Sequence, residues 1–181
     1  MFDTSAPTDG VTGALGRSDF DRIGREELRR ATRYGRPTAL MLVEIDAFLR
    51  LFERFGQAAG DAVLRALAAQ IRTQLREHDT LARVGEAAFA VLLPETEERG
   101  ALFVAERLCR AAGDLQVEFG ERAIGFTVSI GVAGCIARED DLDGALQDAD
   151  AALAEARRSG GVARAPASRM ADDEAAAGRA D

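Results

Sequence analysis

Two short apolar runs, Thr80–Val84 and Phe89–Leu93, are separated only by Gly85-Glu86-Ala87-Ala88. That gap suits a hairpin, whereas a parallel connection needs about a dozen residues or more. The chain must therefore form antiparallel pairing here, and the rest must pack around it. The flanking segments alternate between helical and strand periodicity. Phe20, Ile23, Leu28 and Ala31 recur at helical spacing after Ser18, with Asp21 three residues on as a weak capping box and Gly35 as a C-terminal stop. Thr38–Ile45, bounded by Pro37, reads as a buried strand, Asp46–Phe55 as a short helix ending at Gly56, and Ala58–Glu77 as a longer one. The longer helix places Val63, Leu64, Leu67, Ile71 and Leu75 on one face. Glu97–Ala112 is helical with Leu102, Phe103, Leu108 and Cys109 inward, and Gln116–Phe119 pairs with Ala123–Ala133 about Gly120-Glu121. Leu142–Arg158 is the last helix, burying Ala145, Leu146, Ala149, Ala152, Leu153 and Ala156. This order predicts an α+β fold with a mostly antiparallel sheet.

The chain has 181 residues, 47% hydrophobic and 30% charged, which suits one packed domain. Residues 1–8 read as a flexible tail, 9–164 as the domain, and 165–181, small and charged without apolar periodicity, as a disordered end. The net charge of −8 argues against non-specific nucleic-acid binding. All 23 basic residues are Arg. That excludes any mechanism needing a Schiff-base or phosphate-binding lysine, yet leaves room for a local Arg cluster that takes a small anion. His78 is the single histidine, and Cys109 and Cys135 are far apart, so neither a structural zinc site nor a His-based triad is expected. The first ten residues lack the pattern of a secretory signal. The uncharged stretch Ala123–Ala137 is too short to span a bilayer. The expectation is a cytoplasmic protein with reduced thiols and no membrane insertion.

A set of motifs in fixed order resembles the GGDEF domain of bacterial diguanylate cyclases, from about Asp9 to Arg164. Asp9-Gly-Val-Thr-Gly13 is similar to the family's opening DxLTG, and Arg33-Tyr-Gly-Arg-Pro37 to the usual approach to the first strand. Phe55-Gly-Gln-Ala-Ala-Gly-Asp61 resembles (Y/F)GHxxGD. Arg83-Val-Gly85 and Phe89-Ala-Val-Leu-Leu-Pro94 flank the signature position. Thr127-Val-Ser-Ile-Gly-Val-Ala133 resembles TxSxGxA, and Ala149-Asp-Ala-Ala-Leu153 the ADxALY helix. The resemblance implies a five-stranded central sheet flanked by helices, related to nucleotide-cyclase palms. It also implies an activity, joining two GTP into cyclic di-GMP with divalent metals held by carboxylates.

At the signature the chain reads Gly85-Glu86-Ala87-Ala88-Phe89. By the resemblance, a second glycine has become Glu86, and the two acidic positions have become Ala87 and Ala88. The metal-binding Asp of the first strand is Glu44, with Asp46 keeping the second acidic position. A guanine-recognising Asn is Phe52, its partner acid Asp61 remains, and a phosphate-contacting Lys is Leu49. In the last helix a Tyr is Ala154, a phosphate-binding Lys is Arg157 and a later Arg is Gly161. Glu44, Asp46, Asp61, Gly85, Glu86 and Arg157 thus read as a vestigial nucleotide site. Glu44 and Asp46 are weak metal candidates, no cofactor is required, and Mg enters only with residual GTP binding. Catalytic residues are not assigned.

The family's upstream RxxD motif, which binds the product as an inhibitory site, is matched by Arg76-Glu77-His78-Asp79, ending six residues before Gly85. The same tetrapeptide pattern occurs at Arg138–Asp141 and Arg169–Asp172, so its position carries the reading. Arg76 can fork onto phosphate or a guanine edge, Asp79 can accept from guanine N–H groups, and Arg107 and Arg110 on the next helix can add a second arginine. The expectation is a catalytically inactive domain that binds cyclic di-GMP and acts on a protein partner or a second copy. Its alternatives are a divergent diguanylate cyclase using Glu44, Asp46 and Glu86, and an interaction module that binds no nucleotide. Cys109 and Cys135 read as core filler and Glu139-Asp140-Asp141 as a solvated helix start.

Overall fold

Every residue of strand β1 (Thr38–Ile45) except Glu44 is buried, and its alternation feeds two separate cores. Ala39, Met41, Val43 and Ile45 join one cluster, while Leu40 and Leu42 join the other. This is the period-2 geometry of a strand covered on both faces. The computed structural model describes residues 8–135 and 142–165. In chain order the other elements are α1 (Arg17–Tyr34), α2 (Phe48–Phe55), α3 (Gln57–Gln74), β2 (Thr80–Arg83), β3 (Ala88–Pro94), α4 (Glu98–Gly113), β4 (Gln116–Phe119), β5 (Arg122–Gly125), β6 (Val128–Cys135), α5 (Leu142–Ser159) and β7 (Val162–Arg164). A five-stranded sheet runs β2-β3-β1-β6-β7, and β4 with β5 makes a separate two-stranded ribbon. The pairings β2–β3, β3–β1 and β1–β6 are antiparallel, and β6–β7 is parallel. Phe20 and Leu28 of α1 and Leu146 and Leu153 of α5 fill one face. Phe48 of α2, Val63 and Leu67 of α3 and Leu108 of α4 fill the other. The expected α+β class and mostly antiparallel five-stranded sheet are what the chain forms.

The strand inventory departs from expectation in two places. The run Ala123–Ala133 is not one strand. It divides after Gly125, so that β5 closes the ribbon with β4 while β6 crosses into the central sheet. The run carries neither a charge nor a proline, so composition could not mark the division. The fifth strand of the sheet is instead β7, three residues long, too short to carry an alternation signal. It is held by Ile130 N–H donating to Gly161 O and Ala165 N–H donating to Val132 O.

Helix ends shift for local reasons. α1 starts with Gly16 as its N-cap, without a side-chain cap, so the Ser18 box is not formed, and Asp21 instead accepts from Arg17. Gly35 stops the helix as expected, in the left-handed region at φ 61°. Asp46 and Ala47 precede α2 rather than start it. α3 stops at Gln74, leaving Leu75–Asp79 as a turn. On α4 the buried positions are Ala101, Ala105, Leu108 and Ala112, and Phe103, expected inward, is 61% exposed. The matches Arg138–Asp141 and Arg169–Asp172, the acidic run 139–141 and most of both expected tails lie outside the described residues. No helix among the described residues is long and apolar enough to cross a membrane.

Candidate functional site

The β2–β3 hairpin closes with Val84 N–H and Gly85 N–H both donating to Ala88 O, at 2.9 and 3.2 Å. Arg83 holds it from below. Its Nε donates to Gly85 O at 3.3 Å and one terminal nitrogen to Glu86 O at 2.7 Å. The other terminal nitrogen reaches both carboxylate oxygens of Asp9, at 3.1 and 3.3 Å. Asp9 in turn accepts from the Thr12 amide at 2.8 Å and hydroxyl at 2.6 Å. Burial works against this carboxylate, but the donors on Thr12 and the Arg83 guanidinium outweigh it and hold Asp9 below the ordinary value. The side chain of Glu86 is exposed, while Ala87 and Ala88 are half-buried and offer no donor or acceptor.

Beside the hairpin, Glu44 lies opposite Ala88 on one neighbour and Ser129 on the other. Its carboxylate is engaged by Arg157 from α5, 113 residues on. Asp46 is committed elsewhere, accepting from the hydroxyls of Thr127 at 2.6 Å and Ser129 at 2.7 Å. No group of three or more His, Cys, Asp or Glu side chains that could hold a metal occurs among the described residues. The donor set here does not fit a divalent-metal centre: one carboxylate is ion-paired, the other is held by two hydroxyls, and the hairpin residue opposite Glu44 is Ala88. Phe52 packs over Gly60, where an added Cβ would lie 3.4 Å from its ring, so the face next to Asp61 is aromatic rather than hydrogen-bonding. Leu49 is 63% exposed and Phe52 39%. Cys109 donates to Val128 O at 3.5 Å, and burial, with the Asp46 carboxylate adding, pushes its thiol above the ordinary value. That environment disfavours a reactive thiolate.

Arg76 and Asp79 occupy the turn after α3, not the helix end. Asp79 folds back so that one carboxylate oxygen accepts the Arg76 amide at 2.7 Å, and its own amide donates to Arg76 O at 3.1 Å. Burial raises the Asp79 carboxyl above its ordinary value against the countering Arg76 and His78 charges. The Arg76 guanidinium is exposed and makes no hydrogen bond among the described residues, and His78 is exposed. Arg107 is tied to this region because its Nε donates to Gln74 Oε1. Arg110 instead folds along its own helix to Glu106 O at 3.4 Å. A cavity of about 410 Å³ opens beside the turn, lined by two arginines, Arg72 and Arg76, two acids, Glu77 and Asp79, and the apolar Ala14, Leu15 and Leu81.

A family model described as "Diguanylate cyclase, GGDEF domain" matches residues 6–162. The chain belongs to the GGDEF domain family. Among curated relatives, this GGDEF domain is 34% identical to diguanylate cyclase DgcP of Pseudomonas aeruginosa over 155 residues, 86% of this chain but 23% of DgcP. The chain thus spans less than a quarter of that relative's length. The solved GGDEF domain of DgcB from Caulobacter crescentus, in complex with c-di-GMP, superposes with TM-score 0.85 at 26% identity, covering 92% of this chain and 97% of that one. Diguanylate cyclase SiaD of Pseudomonas aeruginosa, in complex with its activator SiaC, superposes with TM-score 0.80 at 34% identity, covering 85% and 59%.

Two parts of this domain's site escaped the sequence reading. Asp9 and Arg83 were legible only as motif positions, and their ion pair needs contact across 74 residues. Arg72 carried one local signal, a second arginine four residues before Arg76, and nothing local could show that it lines the same cavity.

Proposed function

We propose that this GGDEF domain does not synthesise cyclic di-GMP but receives it at the turn bearing Arg76 and Asp79. The observation that carries the reading is the Arg76 guanidinium, exposed and without a hydrogen-bond partner among the described residues, at the mouth of a cavity it shares with Asp79. A planar guanidinium suits a phosphodiester or the O6/N7 edge of guanine, and the second carboxylate oxygen of Asp79 can accept from guanine N–H groups. Arg107, held close by Gln74, adds a further cation. The absence of synthesis rests on the other centre, where Arg157 occupies Glu44, and Ala87 and Ala88 provide no ligand. That DgcB was solved with c-di-GMP and SiaD with an activator protein supports looking for both a nucleotide and a protein partner.

Calorimetric titration of cyclic di-GMP into the purified chain tests this. Binding at micromolar affinity or tighter, weakened tenfold or more in Arg76→Ala, is expected, since a charge-assisted hydrogen bond contributes about 1.5–3 kcal/mol. Absence of heat and of any thermal shift at high ligand would reject the receptor. Magnesium-dependent conversion of GTP to cyclic di-GMP would reject the silent centre. A second reading, a nucleotide-free interaction module, is favoured by one observation, the exposed apolar pair Leu49 and Phe52.

A further inference from the structure

Among the described residues, the two edges of the central sheet end differently. At β2 the edge is covered. Leu15 N–H donates to Leu81 O at 3.1 Å and Arg83 N–H donates to Leu15 O at 2.8 Å, so the incoming loop takes up outer groups of that strand. At β7 the bonds to β6 come from alternate residues. Gly161 O accepts Ile130 N–H, Ala165 N–H donates to Val132 O, and the parallel register sets Ala163 against Gly131. Gly161, Ala163 and Ala165 therefore turn their main-chain groups towards β6, and Val162 and Arg164 turn theirs away from it. Those outward N–H and C=O groups make no hydrogen bond among the described residues. A row of unpaired main-chain groups on a sheet edge is a template for another strand, and Val162–Arg164 carries no proline to block one.

We propose that β7 pairs with β7 of a second copy of this chain, antiparallel about a two-fold axis at Ala163, so that the two five-stranded sheets become continuous. The register decides the occupant. The outward residues, Val162 and Arg164, stand symmetrically about Ala163. Turned about that residue, Val162 of one copy lies opposite Arg164 of the other, and each such pair exchanges both of its N–H···O bonds. Every outward main-chain group on both strands is then satisfied. Ala163 meets its own copy at the axis as a non-hydrogen-bonded pair, where Cα atoms come about 4.5 Å apart and a methyl side chain fits. Arg164 faces a valine, so like charges are not directly opposed. Gly160 and Gly161, at φ 77° and 96°, make the turn from α5 without a side chain in the path of the incoming strand. The pairing stands apart from the receptor reading, because the Arg76–Asp79 turn leads into β2, at the opposite edge of the sheet from β7.

Sedimentation and main-chain hydrogen exchange over a protein concentration series, without cyclic di-GMP, test the pairing. So short a strand pair associates weakly, and the series runs to about 1 mM. The weight-average mass is expected to rise from one chain towards two, and exchange at Val162 and Arg164 to slow several-fold in step with it. Ala165, whose N–H is held by Val132, is expected to exchange slowly throughout. Arg164→Pro removes an outward donor and spares the bonds to β6, so the rise in mass should vanish. Arg164→Ala keeps the main chain and should keep the rise. Ala163→Cys gives a measurement that does not depend on the proline variant folding, since Cα atoms at the axis lie within disulfide reach. Oxidation of Ala163→Cys at high concentration is expected to link about tenfold more dimer than oxidation of the wild type or of Ala151→Cys, on an exposed position of α5. A single chain at every concentration, with no excess cross-link in Ala163→Cys, would overturn the proposal. Slow exchange at Val162 and Arg164 in the dilute chain would also overturn it, by showing that residues of the same chain cover the edge. So would a dimer that persists in folded Arg164→Pro, which would place the contact on another surface.

Discussion

Ala47 sits at φ 51°, between Asp46 and the start of α2, in a region where an L side chain costs about 1–2 kcal/mol. Its neighbours impose the strain, since Asp46 is pinned by Thr127 and Ser129 and Phe48 is buried. Ala47→Gly should therefore stabilise the fold by about 0.5–1 kcal/mol, read as a higher urea midpoint, and a lower midpoint would show the strain to be absent. Two carboxylates give opposite pH signatures. Asp9 is held below its ordinary 3.8, so it contributes stability above that pH, and the contribution is lost as pH falls through its lowered value. Asp9→Asn should be less stable at neutral pH and should lose less than the wild type on acidification below about 3.8. Asp79 is raised above 3.8 by burial, so its charged form costs the fold something, and protonation relieves that cost as pH falls. If ionised Asp79 accepts guanine N–H groups, ligand affinity should start to fall at a pH above 3.8, with no such step in Asp79→Asn. An unchanged step in that variant would remove Asp79 from recognition.

At the scale of elements, α5 packs tightly on β6. A Cβ at Gly131 would lie 2.1 Å from Ala149 O and 2.4 Å from Leu153 N, both backbone atoms that cannot rotate aside. Gly131→Ala should cost about 3 kcal/mol or more, at or beyond the upper end of ordinary overpacking, in equilibrium unfolding. Retained stability would mean α5 can slide. The Glu44–Arg157 pair joins α5 to β1, but with side chains 31% and 45% exposed it is screened. A double-mutant cycle should give a coupling of only about 0.2–1 kcal/mol, shrinking with salt. Its consequence is chemical rather than energetic, because it occupies the carboxylate that the family resemblance assigns to metal. Much at this scale was legible. Alternating burial in β1, the Gly35 stop and the apolar face of α3 follow from residues within one or two turns of each other. The Ser18 cap and the inward Phe103 were not, because Gly16 and three alanines of α4 satisfied those places first.

For the whole molecule, a ligand that binds only the folded state raises its stability by mass action. At a hundredfold excess over Kd the gain is about 2.7 kcal/mol, roughly 5–10 °C in Tm for a chain of this size. The wild type should show that shift with cyclic di-GMP and Arg76→Ala should not. Equal shifts in both would place the ligand elsewhere on the domain. A ligand with two phosphates and two guanines can also bridge copies, so sedimentation at saturating ligand separates a bridged pair from a single domain.

Neighbours along the chain decide helix or strand, the hairpin at Gly85–Ala88, the glycine stop at Gly35 and the α+β class. Backbone preference, side-chain period and turn chemistry act over a few residues, so they can be read without coordinates. The order of motifs added the family. Contacts between distant segments set where the uncharged run divides into β5 and β6, make three residues after α5 the fifth strand, and choose which charges meet. Asp9 with Arg83, Glu44 with Arg157 and Arg72 with Thr12 O are separated by 74, 113 and 60 residues. Such pairings follow from packing the two cores on one sheet, and packing is a property of the whole chain at once.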